Sequence, residues 1–117
     1  MRDDKENLIV KLTFGFALEI IEFTEKLRSL KKFEMAGQLF NSGTSVGANT
    51  REAQNAESKA DFVHKFKIAA KEADETEYWL MLSLHSKFYP DPQKELFTKL
   101  ETIIKVLSKI LSTSKKT

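Results

Sequence analysis

A chain of 117 residues suits one domain and is too short for two independent cores. It has no cysteine, which excludes disulfides and thiolate metal sites, and no run reaches the roughly 18 uninterrupted apolar residues of a membrane span. Lysine and arginine number 19 against 17 acids, a net charge of +2 that falls short of the basic excess of most nucleic-acid binders.

The charged opening MRDDKENL lacks the apolar stretch of a signal peptide, so the expectation is a cytoplasmic protein with no membrane partner. Only four glycines and two prolines punctuate the chain, and such sparse turn chemistry predicts long helices rather than strands. Ile9, Leu12, Phe16, Ile20, Phe23, Leu27 and Leu30 follow at steps of three and four, one face of a helix over 4–30. The basic turn from Arg28 to Lys32 ends it. Gly15 inside it costs up to about 1 kcal/mol relative to alanine, which suggests a close approach by a neighbouring helix.

A second helix is expected over 33–55, with Met35, Leu39, Phe40 and Val46 as its clearest apolar positions. Its middle, Asn41 to Asn49, is poor in helix propensity and by itself reads as a loop or a kink. Small residues there permit close backbone packing, which keeps a helix in play. Ser58 and Asp61 then form a capping box that opens a third helix over 59–86. Phe62, Phe66, Ala69, Ala73, Leu80 and Leu84 make its stripe, with Thr76 filling the gap. Asp91 and Pro92 cap a fourth helix over 92–112, with Leu96, Leu100, Ile103, Leu107 and Ile110 on one face. Residues 113–117 are polar and are expected to fray. The fold class is therefore all-α, an antiparallel up-down-up-down four-helix bundle formed as one domain from residues 1–117. Its predicted core includes Phe16, Ile20, Phe23, Phe66, Ala69, Ala73, Leu80, Leu100, Ile103 and Leu107.

No catalytic group emerges. His64 and His85 stand about 30 Å apart on one helix and cannot share a metal within a subunit. Gly43 to Gly47 lacks the ending of a phosphate loop and follows no strand. The expectation is a protein that is not an enzyme and uses no cofactor or metal. The run Tyr78, Trp79, Leu80, Met81, Leu82 is apolar on more than one helix face, and Phe14, Ile68, Phe97 and Ile104 also fall off the main stripes. Exposed on a small monomer these would be an aggregation liability, so Tyr78, Trp79, Met81, Phe97 and Ile104 are candidates for an oligomer interface. After Glu101 come Lys105, Lys109, Lys115 and Lys116 with no acid, a candidate basic tip for phosphate.

The stretch from Asn41 to Ala53, followed by Ser58, Asp61, Phe62, Lys65 and the run from Ile68 to Leu80, carries a resemblance. It is similar to the bacterial four-helix bundle proteins known as ribosomal RNA intervening-sequence proteins, related to the accessory variability determinant of diversity-generating retroelements. The resemblance covers almost the whole chain. It implies a subunit of a ring-like homopentamer without catalytic activity, and, through the retroelement relative, RNA or DNA and a reverse transcriptase as possible partners of a basic surface. Asn41 stands where the motif usually has arginine and Thr50 where it has an apolar residue, and the first loses a positive charge. With Arg51 added as a possible nucleic-acid contact, the remaining expectation is a polar network in which Asn49 or Arg51 reaches Glu72, Glu75 or Glu77.

Overall fold

A computed structural model describes residues 4–115, with side chains from Leu8 onward. Four helices account for nearly all of it: α1 (Asp4–Ser29), α2 (Phe33–Ala53), α3 (Lys59–His85) and α4 (Lys94–Lys115). Among the described residues there is no strand. Each helix packs on its sequence neighbours, and α4 closes the square against α1, which with the short connections gives the antiparallel up-down-up-down bundle. The bundle measures 47 × 20 × 19 Å. All ten predicted core residues are buried.

The connections explain the helix ends. After α1 the Lys31 amide bonds to the Arg28 carbonyl at 2.9 Å and the Lys32 amide to the Leu27 carbonyl at 2.8 Å, with Lys31 at φ 63°. This is a Schellman turn, normally built on glycine because a side chain in the left-handed region is strained. Leu30 is half exposed in it and leaves the core stripe. At α3 the Ser58 hydroxyl accepts from the Asp61 amide at 3.1 Å, while the Asp61 carboxylate accepts from the Glu57 amide at 3.2 Å. The reciprocal cap forms, one residue further upstream than a standard box. The last helix starts at Lys94, two residues later than expected. It also runs to Lys115, so 113–115 are helical rather than frayed; residues 116–117 lie outside the described part.

Two stripe assignments change. In α3 the core continues from Leu80 to Ser83, because a step of three holds the inward face at that point. Leu84 is left 37% exposed. In α2 Phe40 turns outward, and the Arg28 guanidinium lies 5.6 Å from its ring centre.

The unpromising middle of α2 is helical without a break. A Cβ on Gly43 would meet Ile20 at 2.8 Å, and one on Gly47 would meet the Thr13 carbonyl at 3.3 Å. The absent side chains are thus what lets α2 press on α1. Gly15, by contrast, has nothing within 4 Å of its missing Cβ, so no helix of this subunit approaches it. Buried hydroxyls are handled locally. Thr13, Thr24, Thr50, Thr76 and Ser83 each donate to a carbonyl three or four residues earlier in their own helix.

Candidate interaction surfaces

The polar seam between α2 and α3 differs from the expected network. The Asn49 side-chain amide donates to the Ser45 carbonyl of its own helix at 2.9 Å. Arg51 is exposed, and no ion pair among the described residues joins it to Glu72, Glu75 or Glu77. Arg51 sits near the C-terminal end of α2, level with the first turns of α3, whereas the acids begin more than a turn further along. The α2–α3 link is made instead by the Ser42 and Thr76 hydroxyls, hydrogen-bonded at 2.9 Å in the core, and by Lys65 with Glu52 at 2.9 Å. The hydrogen bond that Lys65 donates to Glu52, reinforced by the Glu52 charge, holds its ammonium above the ordinary lysine value. Small polar residues inside an apolar stripe were the available signal for the Ser42–Thr76 contact.

The acids of α3 have separate surroundings. Glu75 accepts from the Trp79 indole at 3.4 Å, and Glu77 is exposed. Glu72 is half-buried; desolvation first, then the Glu75 charge, pushes its carboxyl above the usual glutamate value, while Lys71 acts in the opposite sense. Glu72, Glu75 and Trp79 fall at i, i+3 and i+7, so they share the side of α3 that faces α2.

Large apolar residues are exposed on two sides of the bundle. On α3, Tyr78 is 58% exposed, and Met81 and Leu82 accompany it, while Trp79 is half-buried against the core. Trp79 and Leu82 line a hollow on the α2–α3 seam together with Glu34, Met35 and Tyr89. On the α1–α2 side Phe14 is 61% exposed, with Leu18, Ile21, Phe33 and Phe40. Phe14 borders a second hollow formed by Val10, Ala17, Gly47 and Ala48 and edged by Arg51. Of the interface candidates, Phe97 and Ile104 pack as partly buried residues against this subunit's own core, at the margin of the α4 stripe. Leu18 and Ile21 were missed, although their spacing from Phe14 places all three on one outward strip.

The candidate lysines do not form a tip. Lys105, Lys109 and Lys115 are exposed and spread over about 15 Å of α4; Lys105 and Lys109 share its outward side, while Lys115, six residues on, is turned about 120° from Lys109. Lys105 also pairs with Glu101 at 3.2 Å. Lys116 lies outside the described residues. Another α4 lysine, Lys99, pairs with Glu19 of α1. His64 and His85 are both exposed, near opposite ends of α3. Among the described residues no group of three or more histidines and acids comes together to hold a metal ion, and no helix is long and apolar enough to cross a membrane.

With the bundle and its α2 packing motif in view, comparison with known proteins is direct. Residues 5–112 match the family described as 23S rRNA-intervening sequence protein. The chain belongs to that family. A solved structure of a protein of unknown function from the S23 ribosomal protein family of Bacteroides thetaiotaomicron is 39% identical, with a TM-score of 0.86. The match covers 92% of this chain and 98% of that one. No curated protein matches the chain. Membership of the intervening-sequence family thus rests on nearly the full length, and the similar structure shares the whole bundle.

Proposed function

We propose that this intervening-sequence protein is a non-enzymatic scaffold or adaptor of the cytoplasm that works as a homo-oligomer, a ring-like pentamer being the form its family resemblance favours. One observation carries the reading: sizeable apolar side chains are exposed on two distinct sides of a small bundle, at Phe14 and at Tyr78. A soluble monomer rarely presents such patches, whereas a subunit that buries both against copies of itself has reason to. Light scattering coupled to gel filtration tests it. A mass of several subunits is expected, and a mass of one subunit across the accessible concentration range would overturn it.

A second reading draws on α4. Its exposed Lys105, Lys109 and Lys115 are repeated in every copy of an oligomer, and a summed field of that kind attracts polyanions. The alternative role is accordingly a nucleic-acid-binding accessory protein, with RNA or DNA and a protein such as a reverse transcriptase as its partners. Filter binding should show retention at about 50 mM salt that is lost by about 200 mM, since neutralising several phosphates gives a steep salt slope. Replacing Lys105, Lys109, Lys115 and Lys116 with glutamine should abolish retention without altering helicity. No retention of single- or double-stranded RNA or DNA at low salt removes this reading and leaves the scaffold.

A further inference from the structure

The two exposed faces differ in charge as well as in position. The α1–α2 face holds Phe14, Leu18, Ile21 and Phe40 between two arginines, Arg28 at one end and Arg51 at the other. On the α2–α3 face Trp79 and Leu82, with Tyr78 against the Trp79 ring at their outer edge, lie between Glu34 at one end and Glu72 and Glu75 towards the other. Contacts within the subunit fix the levels. Gly43 against Ile20 and Gly47 against Thr13 set α1 beside α2, and Ser42 with Thr76 and Glu52 with Lys65 set α3 beside α2.

Counted along α2, Arg28 and Glu34 stand near the same end. Ile21 and Phe40 stand level with Tyr78 and Trp79. Arg51 lies about 7 Å by helical rise from the level of Glu72, within the combined reach of two long side chains. Glu25 beside Arg28, Lys71 beside Glu72 and the exposed Lys67, which stands level with Arg51, offset part of this pattern.

We infer that the α1–α2 face of one copy of this chain packs on the α2–α3 face of the next, with Arg51 meeting Glu72 of the neighbour and Arg28 meeting its Glu34. This rests on the homo-oligomer reading and adds which surfaces meet and in what register. Copies rotated about an axis parallel to the bundle keep their levels, so Arg28 meets Glu34 directly, aromatic meets aliphatic beyond it, and Arg51 reaches along the seam to Glu72. Two different patches make the contact heterologous, the kind that closes into a ring. Both patches flank α2, and their outward directions stand about a right angle apart. Closure therefore turns α2 towards the ring axis and leaves α4, with its exposed lysines, outside. The 47 × 20 Å outline of a bundle side offers room for the roughly 800 Å² per partner of a standard interface. The pairing also gives Arg51 an ion-pair partner, which it lacks among the described residues.

The experiment is sedimentation equilibrium on the full chain, with circular dichroism as the control for folding. Wild type is expected to be a multi-subunit species. Arg51→Glu and Glu72→Arg should each raise the dissociation concentration about tenfold or more, since like charges are then opposed across the seam. Combining the two in one chain should restore assembly, and Leu18→Asp should weaken it with helicity unchanged. A wild-type oligomer that ignores both reversals, or reversals that the combination does not rescue, overturns this register while oligomerisation stands. A wild-type monomer at every concentration overturns the oligomer reading, and this inference with it.

Discussion

Helices α2 and α4 are stabilised by opposite means. The last helix separates apolar from polar faces more sharply than any other, and a steady three-four spacing of leucine and isoleucine suffices to explain it. The second is less sharply divided and carries glycine, serine, threonine and asparagine through its centre, residues that favour turns in isolation. Yet α2 approaches its neighbours more closely than α4 approaches either of its own. A helix of poor propensity is held here because its small residues admit the neighbouring backbones. A helix of good pattern tolerates a looser fit.

The largest expected effect tests the α4 side of this contrast. Ile103→Ala, at a fully buried position, should destabilise by about 2–5 kcal/mol in chemical denaturation. On the α2 side Thr76→Val should cost about 1–3 kcal/mol, because the Ser42 hydroxyl is left buried without its interhelical partner. Gly43→Ala should cost about 1–2 kcal/mol net. Overpacking against Ile20 exceeds the gain of up to about 1 kcal/mol in helix propensity. Gly37→Ala, on the same helix with open space at its Cβ, should instead stabilise by about 0.5–1 kcal/mol. Equal responses from the two α2 glycines would remove close approach as the explanation.

The smallest effect concerns pH. Glu72 binds its proton more tightly in the folded protein than in the unfolded chain. Above the unfolded value the native state therefore holds more of the proton, and stability falls as pH rises from there through the folded value. In the unassembled subunit, at concentrations too low for oligomers to form, Glu72→Gln should flatten that slope and raise stability slightly at neutral pH, an effect below those above.

Periodicity made α1, α3, α4 and the ten chosen core positions legible, because apolar burial repeats at the helical period, whereas an unbroken α2 rested on its small residues and the family resemblance. Ser58 and Asp61 likewise declared the start of α3. Legibility failed where geometry outside the helix decided the outcome. Leu84 lost its place to Ser83, Lys31 took a left-handed conformation usually reserved for glycine, and α4 continued through a polar tail to Lys115. For the candidate surfaces, the sequence singled out Tyr78, Trp79 and Met81 as apolar excess and gathered the lysines of the last helix. It could not tell that Phe97 and Ile104 pack inward, since residues at the margin of a stripe turn in or out with the tilt of the neighbouring helix.

What the sequence determined by itself was the number of helices, their approximate bounds and the faces they bury, all consequences of local spacing. Only the tertiary structure decided which small residues of α2 touch α1, that Ser42 rather than Asn49 bonds to α3, and that Arg51 remains apart from Glu72. Those outcomes depend on the axial register between helices, and a shift of one turn would exchange the partners while leaving every helical pattern unchanged.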